Sequence, residues 1–214
     1  MRSRWCRLRL LAAILMAVFA LPGSAINAQA QAKVGFGPMG GVSFASFHGM
    51  GDSTTGSRAG LVLGGFVSVP LSPKSLLEPQ LFYVQKGAVT FPEGGPKQTL
   101  QLDFIEVPVL FRLMLPTAAS TRVAPNFLLG PAVAFQVGCK VHVESSTAST
   151  VETCAKAGHT YRKTDVSANF GFGLDVSRLD FQLRYEVGIG DLSDTEQVKD
   201  VHTNALLITL GFRI

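Results

Sequence analysis

From Phe181 to Gly190 the chain reads Phe-Gln-Leu-Arg-Tyr-Glu-Val-Gly-Ile-Gly: odd positions are large and apolar, even ones polar, charged or Gly. A strict period of two is a strand with two unlike faces. The alternation returns at 126–138, where Phe127, Leu129, Val133, Phe135 and Val137 oppose Asn126, Gly130, Ala132, Ala134, Gln136 and Gly138. At 165–177, Val166, Ala168, Phe170, Phe172, Leu174 and Val176 oppose Asp165, Ser167, Asn169, Gly171, Gly173, Asp175 and Ser177. At the C-terminus, Leu206, Ile208, Leu210, Phe212 and Ile214 oppose Ala205, Leu207, Thr209, Gly211 and Arg213. Eight segments of this kind can be drawn, at 34–47, 58–71, 76–91, 98–115, 123–138, 164–177, 179–191 and 202–214. Each exceeds the roughly 9–11 residues that a tilted strand needs to cross a bilayer.

The second face decides which way the strands close. A soluble barrel or sandwich buries its bulky side chains and presents charges to water. Here the non-bulky face mixes Gly and Ala with Arg, Glu and Asp, a poor solvated surface but a fitting interior for a narrow barrel. The bulky face then meets lipid. The predicted fold is therefore all-β, an eight-stranded antiparallel up-and-down transmembrane β-barrel. Its connections alternate: those at 48–57, 92–97, 139–163 and 192–201 are long and polar, those at 72–75, 116–122 and 178 short. That asymmetry predicts short periplasmic turns and long outer loops. Pro108, inside Ile105-Glu106-Val107-Pro108-Val109, predicts a bulge or kink.

Composition changes this picture at one end. Arg2, Arg4, Arg7 and Arg9 precede an apolar stretch from Leu8 to Leu21, followed by small residues at Gly23, Ser24, Ala25, Ala28, Ala30 and Ala32. This reads as a cleaved secretory signal over residues 1–32, cut after Ala25, Ala30 or Ala32, with the barrel domain at 33–214. Cys6 lies ahead of the apolar stretch, so it is no lipoprotein cysteine. The chain's net charge of +4 comes from those four arginines: without them 15 Lys and Arg face 15 Asp and Glu. No basic patch argues for nucleic acid. Beyond the leader no apolar run reaches the length of a spanning helix.

Candidate chemistry is sparse. Gly35-Phe36-Gly37-Pro38-Met39-Gly40 matches G-x-G-x-x-G, but no strand precedes it and no helix follows, so the phosphate-cradling context is missing. His48, His142, His159 and His202 fall in outer loops or at a strand rim; Ser46 and His48 share a face without a third group to orient the base. No catalytic residue, cofactor site or metal site is assigned. Cys139 and Cys154 read as a disulfide in an exported protein, with metal ligation beside His142 and His159 as the alternative. Glu78, Lys86, Glu106, Arg112, Asp175, Arg184, Glu186 and Arg213 all fall on the inward face. They read as a salt-bridged plug filling the bore, with an ion or proton path as the rival.

Several strings carry a family likeness. Leu76-Leu77-Glu78-Pro79-Gln80-Leu81-Phe82-Tyr83-Val84-Gln85-Lys86-Gly87 resembles the third-strand signature of PorT-type outer-membrane β-barrels. Leu102-Asp103-Phe104-Ile105-Glu106-Val107-Pro108-Val109-Leu110 resembles their fourth strand, Asn126 to Pro131 their fifth, and Arg184 to Leu192 their seventh. The chain departs from the pattern at Gln80, at Phe104, in the paired cysteines and in ending on Arg213-Ile214. The resemblance implies the barrel fold and an outer-membrane location; the founding member serves secretion and gliding machinery. The expected role is structural, adhesive or assembly-related, without enzymatic activity, in a monomer contacting outer-membrane lipid and a protein partner through its outer loops. The rival readings are a lipid- or small-ligand-binding barrel and a lipid-modifying enzyme.

Overall fold

The computed structural model describes residues 34–48, 54–91, 97–117, 123–144, 149–154, 164–189 and 202–214. The expected leader at 1–32, and with it Cys6, lies outside the described residues, as does His159. Nine strands form: β1 (Gly35–His48), β2 (Thr54–Ser72), β3 (Ser75–Phe91), β4 (Lys97–Met114), β5 (Val123–Glu144), β6 (Ser149–Thr153), β7 (Thr164–Val176), β8 (Leu179–Gly188) and β9 (His202–Phe212). Every pairing is antiparallel, and β4 pairs with β5 while β9 returns to β1. Around the ring the order is β1, β2, β3, β4, β5, β7, β8, β9. Eight strands thus close the barrel predicted from the alternation.

The ninth strand is a departure from the expected loop at 139–163. β5 runs on to Glu144, and β6 pairs with its extension, from Lys140↔Thr153 to Glu144↔Ser149. β7 leaves β5 at Phe135↔Thr164, so β6 takes up the edge that β7 vacates. The Cys139–Cys154 disulfide staples this hairpin, with Cα atoms 5.5 Å apart. Among the described residues the cysteines are partners to each other, not to His142, which lies opposite Thr99 and Val151.

The bulge expected at Pro108 sits elsewhere. Pro108 stays in register opposite Ala132, whereas the register slips between Asp103↔Gly138 and Phe104↔Gln136, leaving Val137 as the extra residue on β5. One inserted residue exchanges the two faces of a strand. Even positions of β5 face inward up to Gln136; beyond the bulge the odd positions Cys139, Val141 and Val143 do so. That flip turns Cys139 toward Cys154.

At the turn end of the barrel the connections are tight. Ser72 and Ser75 face each other with hydroxyls 2.7 Å apart, and the Lys74 amide donates to the Ser72 hydroxyl. Between β7 and β8 two residues suffice, and Ser177 adopts φ 57°, as a primed hairpin turn requires. At the opposite, loop end lie the long connections and the stapled hairpin.

The outer wall is apolar. Phe36, Leu81, Phe172 and Leu210 are 54%, 57%, 60% and 53% exposed, spread over β1, β3, β7 and β9. A belt of that kind is the lipid-facing surface of a membrane barrel. Where strands crowd, glycine is obligatory: a Cβ on Gly37 would sit 1.8 Å from the Phe212 carbonyl oxygen. The Gly35–Gly40 string therefore lies within β1 and packs it against β9; it cradles nothing.

Candidate functional site in the barrel bore

Period two aims one set of side chains into the bore from each strand. In a ring of eight, β3 and β8 stand four strands apart and face each other across the lumen. β3 sends in Glu78, Gln80, Phe82, Val84 and Lys86; β8 sends in Asp180, Gln182, Arg184 and Glu186. These side chains tie the two walls together. Gln182 Nε2 donates to Glu78 Oε1 at 2.7 Å, and Gln80 Nε2 to Gln182 Oε1 at 3.2 Å. Arg184 Nη1 donates to Gln80 Oε1 at 2.6 Å, and Lys86 Nζ to Glu186 Oε1 at 2.6 Å.

Toward the turn end the ties centre on Arg112, fully buried on β4. Its guanidinium pairs with Glu78 and Asp175, each at 2.5 Å, and with Asp180. Its Nε donates to Asn126 Oδ1 at 3.2 Å. Arg213, part-exposed at the rim, adds contacts of 3.2 Å to Asp175 and 3.4 Å to Asp180. The Ser68 hydroxyl donates to Glu78 Oε2. Only a planar guanidinium, with five donors in a fixed fork, could serve so many acceptors from one position.

Midway, Lys86 bridges Glu106 at 2.7 Å and Glu186, with its ammonium 5.6 Å from the centre of the Phe104 ring. Arg184 stacks on Phe82, its guanidinium carbon 5.3 Å from the ring centre. An apolar filling runs beside this level and on toward the loop end. Val62, Val84, Ala88, Leu100, Leu102 and Leu207 form one buried cluster, which continues through Val141 to Cys154 under the stapled hairpin.

The structure places Glu78, Lys86, Glu106, Arg112, Asp175, Arg184 and Glu186 inside the bore and Arg213 at its turn-end mouth. The structure also supplies the pairing, which the inward face alone does not specify. Lys86 takes both glutamates, Arg112 reaches Glu78 and the two aspartates, and the hydrogen bond of Arg184 goes to Gln80. The sequence reading missed Asp180, Gln80, Gln182, Asn126 and Asn169, all buried. Parity held the signal: Asp180 and Gln182 share even positions with Arg184 and Glu186, and Gln80 shares them with Glu78 and Lys86. The uncharged members carry no signal beyond that parity, since an amide on an inward position reads like any other small polar residue.

His48 and His202 are register partners at the loop end of β1 and β9, and Ser46 lies opposite Asn204. Both histidine side chains lie outside the described ones. Among the described residues no group of three or more His, Cys, Asp or Glu side chains could hold a metal ion, and no helix is long and apolar enough to cross a membrane. Chemically, the bore is a set of mutually neutralising ties that fix opposite walls.

No curated protein matches this chain. Among solved structures it is similar to Neisserial surface protein A, at 13% identity and TM-score 0.47, over 84% of this chain and 97% of that one. It is also similar to Ail, the attachment invasion locus protein of Yersinia pestis, at 12% identity and TM-score 0.42, over 85% and 99%. For OprG of Pseudomonas aeruginosa the figures are 12% and 0.46, over 84% and 95%. The family described as outer membrane protein beta-barrel domain matches residues 27–194. That span reaches from ahead of β1 to beyond β8, and so the chain belongs to the outer membrane protein beta-barrel domain family, whose place is the bacterial outer membrane.

Proposed function

We propose that this barrel is a non-enzymatic, monomeric outer-membrane scaffold of the PorT type, exported by the leader at residues 1–32. In this reading its loop end faces outward to engage a protein partner in adhesion or assembly. One observation carries it: side chains tie opposite walls across the bore while, among the described residues, the wall extends past the ring at the loop end. There the disulfide-stapled β5–β6 hairpin displays exposed Val137, Lys140, Val151 and Glu152. An eight-stranded interior is just wide enough for side chains to fill, and the ties across it leave no bore for hydrated salt ions.

Epitope tags test the orientation. Tags inserted at Thr55 and Ser149 are expected to be reached by antibody on intact cells, and a tag at Ser72 only after permeabilisation. Labelling at Ser72 on intact cells overturns the orientation. In planar bilayers the purified protein is expected to carry no steady potassium chloride current, and a stable current overturns the closed bore.

A further inference from the structure

The two sides of the bore are not alike. β1 to β4 turn in apolar Met39, Val62, Phe66, Phe82, Leu102 and Leu110 interleaved with polar Glu78, Gln80, Lys86, Glu106 and Arg112. β7 and β8 turn in Asp165, Ser167, Asn169, Gly171, Gly173 and Asp175, then Asp180, Gln182, Arg184, Glu186 and Gly188. From one end of the barrel to the other, the inner faces of those two strands carry no apolar side chain. Apolar burial cannot account for such a wall, because it has no apolar surface to bury.

Halfway along it lies a group of polar atoms without partners among the protein's own groups. They are Arg184 Nε and Nη2, Glu186 Oε2, Glu106 Oε1 and both amide atoms of Asn169. The four residues are at most 1% exposed. Asn169 is the register partner of Glu186 and Gly171 that of Arg184; on the β5 side Asn169 faces Gly130 and Ser167 faces Ala132. A Cβ at Gly130 or Gly171 would sit 2.0 or 2.1 Å from the Val109 or Leu183 carbonyl oxygen, so no side chain can reach the group from those two positions. Two further partnerless hydroxyls, Thr203 Oγ1 and Thr209 Oγ1, flank the group toward the loop end and the turn end on β9. A buried polar group left unpaired costs about 1–3 kcal/mol. Water, which makes about three hydrogen bonds in such sites, is the ligand that meets donors and acceptors mixed in this way.

We propose that β7 and β8 line a hydrated seam running the length of the barrel, and that this seam relays protons while excluding hydrated salt ions. The relay needs no redox partner: at each hop one O–H bond of a water breaks as another forms on the next, so only the proton is displaced. Lys86 and Arg184 are offset by Glu106 and Glu186, so this level presents no uncompensated charge to a passing proton. The ties from Lys86 to Glu186 and from Arg184 to Gln80 bar anything that must carry a hydration shell. The seam goes beyond the scaffold role and does not depend on which end faces outward.

The test uses the purified barrel in phospholipid vesicles containing a pH-sensitive dye, with the membrane potential clamped by potassium and valinomycin. Wild-type protein is expected to dissipate an imposed pH gradient well faster than protein-free vesicles, with no potassium chloride current in planar bilayers. N169L and S167V, which put apolar bulk into the seam, are expected to lose that excess flux. L102A, on the apolar side, is expected to keep it. The heat-dependent gel shift shows which variants are folded, and T203V replaces either seam variant that is not. Wild-type flux equal to protein-free vesicles overturns the seam, as does full flux through folded seam variants. A steady salt current overturns its selectivity and the closed bore together, whereas absent proton flux without current leaves the scaffold reading standing.

Discussion

The turn-end and loop-end halves of the bore solve one packing problem by opposite means. The turn-end half is tied by Arg112 amid Glu78, Asp175 and Asp180, with Gln80, Gln182 and Asn126 completing the network beside buried Met39 and Phe66. The loop-end half is filled by Ala88, Leu100, Leu102 and Val141 against the polar Asp165 and Ser167 of β7, and is capped by the stapled hairpin. Both lie within one apolar outer belt, so neither can draw on the outside for cohesion. The ionic half gains directional ties between opposite strands but is vulnerable to the loss of any one partner. The apolar half gains burial and dispersion, which respond to lost volume and not to lost charge. Filling and fixing a narrow barrel are therefore separable tasks.

The largest effect should follow from attacking the ionic half at its hub. Arg112→Leu keeps much of the volume but strands three buried carboxylates, and is expected to cost about 3–5 kcal/mol. Arg112→Lys should recover part of this, since an ammonium keeps the charge without the fork. The midpoint of the heat-dependent gel shift, and urea unfolding in lipid vesicles, measure both. If Arg112→Leu unfolds with wild-type midpoints, the network is ornamental and the two halves are held alike.

In the apolar half the matching change is Leu102→Ala, which removes buried volume and no charge. A cost of about 3 kcal/mol is expected, and the same unfolding measurements read it. Shielding by salt should leave this cost unchanged. A loss below 1 kcal/mol would mean that the cluster is loosely packed and that the hairpin, not the side chains, closes the loop end.

Much of this contrast was legible in the sequence, and its limits have physical causes. Period two gave each strand its faces, and the charged face gave the bore, because a lipid-facing wall excludes charge from the other side. Pairing was not legible. Parity says that Arg112 and Arg184 point inward, but strand tilt and side-chain reach decide whom they meet, and those depend on the closed ring. The β5 bulge was hidden for a related reason: one inserted residue at Val137 leaves the local alternation intact on both sides and changes only its phase. Polar or charged residues in 139–163 masked β6, whose pairing partner is the extension of β5.

A smaller and local effect is expected from reducing the disulfide. Its cysteines are 15 apart in sequence, for which the chain-entropy estimate is about 3 kcal/mol at most. The hairpin keeps its backbone pairing from Lys97↔Glu144 to Asp103↔Gly138, so the realised loss should be smaller. Hydrogen exchange should quicken in β6 and the outer part of β5 while β8 stays protected. Equal loosening of β8 would show that the two halves are coupled through the staple.

The smallest effect is also the sharpest probe, at the level where the halves meet. Lys86→Met alone leaves Glu106 and Glu186 facing each other without their bridge and should cost about 3–5 kcal/mol. Replacing Lys86 with Met, Glu106 and Glu186 with Leu, and Arg184 with Met removes two charges of each sign. The apolar filling of Val84, Leu100 and Leu102 is thereby extended downward. Buried ion clusters exchanged whole for apolar side chains of similar size are often neutral, so the fourfold variant should lie within about 1 kcal/mol of wild type. It should also have lost proton flux, since the partnerless atoms of Arg184, Glu106 and Glu186 are gone. Urea unfolding and dye-reported flux in one vesicle preparation separate the two outcomes. A fourfold variant as unstable as Lys86→Met would mean that the mid-bore charges fix the walls as Arg112 does, placing the boundary between the halves above Lys86.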